Sequence, residues 1–281
     1  MNTTTLKPPA PPAPSTLGLN PSLWWQEALR RQRTLTLYAL FMALAMLPTL
    51  VALGLDDRLF RGVSIWAKPL KFMASISLFA ICTAWFMGLV PVAQRGSRAL
   101  RLVVGTIVIA GTAEVGYISL QAALGQASHY NTSSLFHMVA YQLMGLGALS
   151  LMLTQPVLAW QIAKHGDAQL QPAWRDAVVL GLVMTFVLGV GAAGPLANAQ
   201  PPAGAGLPLL GWHLGGGDLL PAHFIGSHAQ QFIPFLGWLL LRAWPARARL
   251  ALWAGAAGYT ALWLMALLRG LNGAVWLPPP V

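Results

Sequence analysis

The chain has 281 residues, of which 56% are hydrophobic and only 9% charged, against about 25% charged in a typical soluble domain; with a mean hydropathy of +0.61 this excludes an ordinary soluble protein. A net charge of +10 would suit nucleic acid in a soluble chain, but here the basic residues flank apolar blocks, where they set orientation and meet lipid headgroups. The bilayer, and no nucleic acid, is the expected partner, and the one cysteine, Cys82, inside an apolar block, excludes an internal disulfide.

The apolar blocks run near the roughly 20 residues that carry a helix across a hydrocarbon core. They are solid and do not alternate, which excludes a transmembrane barrel. The expected fold class is therefore all-α, a polytopic transmembrane helix bundle of seven spans. Residues 1–20, rich in Pro, Ala and Thr, are expected to form a disordered tail. Residues 21–33 (PSLWWQEALRRQR) read as an amphipathic interfacial helix that starts at Pro21 and carries Trp24 and Trp25 at the membrane surface. The bundle itself is expected over 34–271.

Its spans are expected at 34–54 (with Pro48 as a kink), 69–92, 102–124, 135–163, 177–197, 222–241 and 250–268. The stretch 198–221 is a long Gly/Pro-rich loop, and 272–281 is a Pro-rich tail. With the amino terminus inside, the outer segments hold Arg58, Arg61, Lys68, Lys71 and Arg269, and the inner ones hold the other twelve of the 17 Lys and Arg residues. That excess fixes the amino terminus inside and the carboxyl terminus outside.

This topology sends most of the chain's histidines toward the outer face. Glu114 is the sharpest signal, because a carboxylate deep in a span must be paired, protonated or held in a wet cavity. Glu114, Tyr117 and Gln121 follow at i, i+3 and i+7, one polar stripe along one helix face. In GGGDLLPAHFIGSHAQQFIP (215–234), His223, Ser227 and Gln230 or Gln231 share a face. His228 comes five residues after His223, about 140° round the helix, so a straight helix does not aim both imidazoles at one point. Asp218 reads either as a helix cap or as a ligand.

In SHYNTSSLFHMVAYQ (128–142), Ser133 or Ser134 is expected to cap the fourth span, His137 and Tyr141 face one way, and His129 and Asn131 are expected in the exposed loop. In WAKPLKF (66–72), Trp66 anchors at the interface and Lys68 and Lys71 snorkel to headgroups, with Lys71 as a counter-ion to Glu114 or Asp218. Nucleotide-binding, haem-attachment and zinc-protease motifs are absent from the sequence.

The runs SHYN (128–131), D-x-x-x-x-H-F-x-x-x-H-x-x-Q (218–231) and W-x-K-P-x-K-F (66–72) are similar to bacterial multi-pass inner-membrane proteins of uncharacterised activity, and this resemblance implies a bacterial inner membrane. A second resemblance is to the seven-span zinc hydrolases of the alkaline ceramidase and progestin-receptor-like superfamily. Ser133 and His137 match that family's S-x-x-x-H element and Asp218 its Asp, whereas His223 and His228 stand one residue too far apart for its paired His and lie in the sixth span.

The functional expectation is an outward-facing His/Glu/Asp site that binds a small molecule or a metal. His137, His223 and His228 are its expected ligands, for Zn or haem b. Three alternatives stand beside it: a proton-coupled transporter or sensor built on Glu114, a membrane zinc hydrolase with Glu114 or Asp218 as general base, and a structural protein whose polar residues are helix–helix glue.

Overall fold

A computed structural model describes residues 20–167, 170–202, 204, 206–207 and 210–275. The expected tails at 1–20 and 272–281 lie almost entirely outside them. The elements are α1 (Pro21–Arg31), α2 (Arg33–Leu55), β1 (Leu59–Phe60), β2 (Val63–Ser64), α3 (Ala67–Met87), α4 (Val92–Arg95), α5 (Arg98–Ala123), α6 (Leu135–His165), α7 (Pro172–Asn198), α8 (Leu220–Ser227), α9 (Ala229–Ala243) and α10 (Ala248–Leu271). Six of them, α2, α3, α5, α6, α7 and α10, are long and apolar enough to cross a membrane. The bundle is all-α apart from β1–β2, a hairpin closed by Arg61 and Gly62 at φ +55° and +81°, the two positive values that a tight hairpin turn requires.

The apolar surface explains why these helices need lipid. On α2, Phe41, Leu44, Leu47 and Val51 are exposed at helical spacing, as are Leu102, Ile109 and Leu120 on α5. A soluble protein does not expose stripes of this extent. The inward faces interlock through small residues. Gly111 of α5 sits against Tyr38 of α2 and Ile76 of α3, Gly147 of α6 against Glu114 of α5, and Gly255 of α10 against Leu236 of α9.

Two expected span boundaries differ. The second span was expected to reach residue 92, but α3 stops at Met87, and Gly88–Val90 turn before Pro91. That stretch is apolar, so hydropathy does not mark the end. Proline breaks the ladder, and the Arg95 guanidinium donates to the freed Val90 and Gly88 carbonyls at 2.9 Å each.

The segment expected as a sixth span is two pieces, α8 and α9, parted at His228. Together they run antiparallel along α7. Gly226 touches Leu188 and Gly189, Pro234 touches Gly181, and Gly237 touches Ala177.

The loops gather at two ends. At one end Arg58 donates to Ala123 O, Arg61 to Gln200 and Pro201 O, and Tyr130 to Leu196 O, and Gly216 abuts Gly273. At the other end α1 docks on the end of α3, and Arg249 pairs with Asp176 at 2.6 Å.

At that second end α1 is fixed by a buried charge cluster. The Asn20 side chain caps α1, and Gln32 Oε1 accepts from Thr34 N at 2.7 Å to start α2. Glu27 accepts from Arg30 and from Arg31 at 2.7 Å. Arg31 also donates to Trp85 O at 2.9 Å and lies 4.0 Å above the Trp85 ring. Gly88 makes the room, since a Cβ there would stand 2.6 Å from the Arg31 side chain.

Candidate functional site

The site begins on α5. Glu114, Tyr117 and Gln121 do lie on an inward face, with Glu114 and Gln121 buried. Among the described residues, Glu114 Oε1, Tyr117 Oη and Gln121 Oε1 have no hydrogen-bond partner. The carboxylate packs against α6 where the chain has no side chain, for a Cβ on Gly147 would lie 2.9 Å from Glu114 Oε1. The hydroxyl of Tyr38, near this carboxylate, is engaged with Thr112 at 3.2 Å. Further along α6, Gln155 is buried with its Nε2 donating to Thr154 Oγ1 at 2.9 Å and its Oε1 unpaired.

A second group of buried polar atoms lies at the α8–α9 joint. A continuous helix would bond Gln230 N to Gly226 O and Ala229 N to Ile225 O. Instead Gln230 N donates to Thr185 Oγ1 of α7 at 2.7 Å, and Tyr259 of α10 donates its hydroxyl to Ile225 O. Two hydroxyls from neighbouring helices therefore take over ladder positions, and the helix parts at His228. His223 and His228, on either side of the break, lie within electrostatic range of each other.

Around the joint, His223 Nδ1, Ser227 Oγ and both amide atoms of Gln230 have no hydrogen-bond partner among the described residues. The His223 ring meets the backbone at Gly189, and the Gln231 amide lies against both His228 and the Cys82 thiol of α3. Gly189 lets Ser227 of α8 and Met152 of α6 close in, 3.5 and 3.4 Å from where its Cβ would be. His228 stacks on Phe224 with ring centroids 4.2 Å apart. These contacts link α3, α6, α7, α8 and α9 into one polar seam.

The mouth of the seam lies at the end that holds the 56–66 and 124–134 loops and the segment 210–219. Asp218 is buried there, its Oδ2 accepting from His213 N and its Oδ1 from Leu220 N, each at 2.8 Å. Both oxygens are thus engaged by backbone, while the cap position of α8 is Leu219, which has no side-chain cap hydrogen bond. Lys71 lies within electrostatic range of Asp218 but forms no ion pair with it or with Glu114.

His129, expected in the exposed loop, is instead packed against Phe72 and Tyr141, at 6.0 and 5.7 Å between ring centroids. Burial and then the nearby Lys68 ammonium push its pKa down to about 3, so the ring is neutral near pH 7. Tyr141 donates to Ala197 O at 2.8 Å and tethers α6 to the end of α7. Beside the mouth, a surface cavity of about 340 Å³ is lined by Trp212 and His213.

The three expected metal ligands, His137, His223 and His228, do not gather as one group. Ser134 caps α6, accepting from His137 N at 3.3 Å. The His137 ring is satisfied locally, by Ser134 at 2.8 Å and by Gln126 Oε1 at 3.0 Å. His223 and His228 belong to the α8–α9 joint. Among the described residues no three His, Cys, Asp or Glu side chains gather as a metal-binding group.

Sequence reasoning did not mark Gln155, the burial of His129, the glycines at 147 and 189, or the Thr185 and Tyr259 hydroxyls. The only available signal was small and hydroxylated residues inside apolar blocks, which marks close helix contact in general and no particular site. In comparisons with family models, curated proteins and solved structures, the chain matches none.

Proposed function

We propose that the chain is a seven-span membrane protein, amino terminus inside, whose polar seam receives a small hydrophilic molecule from the outer side. The α8–α9 pair counts as the additional span because it runs along α7 over matching distances: Gly226 to Gly237 parallels Leu188 to Ala177. The excess of Lys and Arg at the opposite end from the mouth supports the orientation. A bacterial inner membrane follows from the sequence resemblance.

One observation carries the function. Glu114, Tyr117 and Gln121 on α5, and His223, Ser227 and Gln230 at the α8–α9 joint, hold buried polar atoms with no hydrogen-bond partner among the described residues. Buried polar groups are normally paired, so a concentration of exceptions points to a use for them. Glue between helices would pair these groups with one another. Neutral donors and acceptors of this kind suit a hydroxylated or amide-bearing solute, passed through the membrane or sensed.

A second reading rests on His223 Nδ1, a buried imidazole nitrogen without a partner and thus a free lone pair for a metal or haem b. Stoichiometric metal or a Soret band in purified protein would favour it.

The test of the first reading uses Ser227→Cys in a Cys82→Ala background. A membrane-impermeant thiol reagent added at the outer face is expected to label it, and a solute that occupies the seam is expected to protect it. Absence of labelling from the outside, in protein that labels fully once unfolded, would remove the reading.

A further inference from the structure

Two lysines stand at the mouth of the seam in an electrostatically unfavourable place. Lys68 and Lys71 occupy the first turns of α3, which hold no acidic residue of their own, and Asp218 acts on Lys71 from beyond ion-pair distance. A helix amino terminus already carries partial positive charge, and like charges three residues apart repel. Neither ammonium has an ion pair among the described residues. Lys68 is half-buried, with its ammonium 5.8 Å from the centre of the Phe72 ring.

Among the described residues, the carboxylates at this end form no ion pair with them. Asp218 spends both oxygens on backbone N–H groups. Asp56 is bound by Arg58 at 2.7 Å and by Trp66 Nε1 at 2.9 Å. Asp57 forms no ion pair with either lysine.

The lysines also point the same way as the seam. Lys71 and Cys82 are eleven residues apart, about three helical turns, and so share one face of α3 some 16 Å apart; Lys68 is within about 40° of that face. Cys82 meets Gln231 at depth, and Lys71 faces Asp218 at the mouth. The face that bears the cations is thus continuous with the wall that bears the unpaired amides.

We propose that Lys68 and Lys71 together bind an oxyanion, a phosphate or carboxylate group, at the mouth of the seam. The inference rests on the seam being a binding site and adds the charge of what it takes: a ligand with an anionic end held by the lysines and a neutral polar body reaching toward Gln231. The same chemistry is offered by a solute anion and by a lipid phosphate, and a charge-assisted contact of this kind is strong for either.

The test is thermal unfolding of the full chain in nanodiscs, wild type against Lys68→Gln/Lys71→Gln. The double variant is expected to fold at least as well as wild type without added anion, because it relieves a repulsion. In discs of zwitterionic lipid, titration with inorganic phosphate against chloride at equal ionic strength is expected to raise the wild-type midpoint, with apparent affinity at least tenfold weaker in the double variant. A lysine-dependent rise produced by phosphatidylglycerol discs alone assigns the site to a headgroup. Equal responses of both proteins in both arms overturn the proposal. If Ser227→Cys still labels from outside in that case, only the anion inference falls; if it does not, the seam reading falls with it.

Discussion

Replacing Gln230 by Met is expected to make the protein more stable. Gln230 is 0% exposed, and both its amide oxygen and its amide nitrogen lack a partner. Leaving a buried polar group unpaired costs about 1–3 kcal/mol. The side chain has two such ends, but polar groups in membrane proteins are also poorly hydrated in the unfolded reference, where measured hydrogen-bond contributions average about 0.6 kcal/mol. Methionine, unbranched and of similar length, keeps the packing while removing the amide. The net gain is therefore expected at about 1–2 kcal/mol, read as unfolding free energy in mixed micelles titrated with SDS.

Thr185→Val supplies the contrast. It deletes the oxygen that holds Gln230 N at 2.7 Å, leaves that N–H unpaired and is expected to lose about 1 kcal/mol or more. A loss of stability in Gln230→Met would show that the amide is structurally bonded, and would refute the argument that these atoms are kept for a ligand.

Gly226→Ala would place a Cβ 2.6 Å from the Leu188 carbonyl carbon and oxygen. Backbone cannot step aside cheaply, so a loss of about 2 kcal/mol or more is expected. Gly116→Ala, with nothing within 4 Å, is expected to gain up to about 1 kcal/mol from helix propensity, and the same SDS titration reads both. Arg31→Met leaves the buried Glu27 with Arg30 alone and loses the contact over Trp85; a cost of about 2–3 kcal/mol is expected, toward the lower side of what breaking a buried pair costs because the pair sits near the surface. Arg31→Lys should rescue it poorly, since an ammonium reproduces neither the fork nor the stack.

That cluster also sets a pH response. Burial raises the Glu27 carboxyl, but the hydrogen bonds from Arg30 and Arg31 outweigh it and hold the pKa below the ordinary 4.5. A depressed carboxyl contributes stability above its unfolded value and loses it as pH falls through the folded one. The docking of α1 is therefore expected to be unchanged through neutral pH and to loosen only below about 4.5, visible as a change in fluorescence from the Trp24–Trp85 stack, whose rings are 5.0 Å apart. A transition near pH 6 would assign the response to another group.

The helices were legible because span length and hydropathy are local properties. The Glu114 stripe was legible for the same reason: three polar residues at helical spacing must share a face, and a buried face is where an apolar block has room for them. Ser134 was legible as a cap from its place before a helix. What could not be read were events caused by residues far along the chain. The break at His228 depends on hydroxyls 43 residues before and 31 after it, in other helices. His129 reads as a loop residue until Phe72 and Tyr141 close over it, and His137 as a ligand until Gln126, eleven residues back, takes its ring nitrogen. The end of α3 is hidden in the apolar run Gly88–Val90, where a guanidinium, not a polar sequence, finishes the helix.

The parting of α8 from α9 has a mechanical consequence. Its two fastenings belong to different neighbours: Thr185 on α7 grips the lower rod, and Tyr259 on α10 grips the upper one. Sliding α7 past α10 would therefore pull the rods in different directions and bend the chain at His228, with Gln230 and Gln231 just beneath the knuckle. A displacement begun at the surface would reach the middle of the bilayer as a rotation of those two amides.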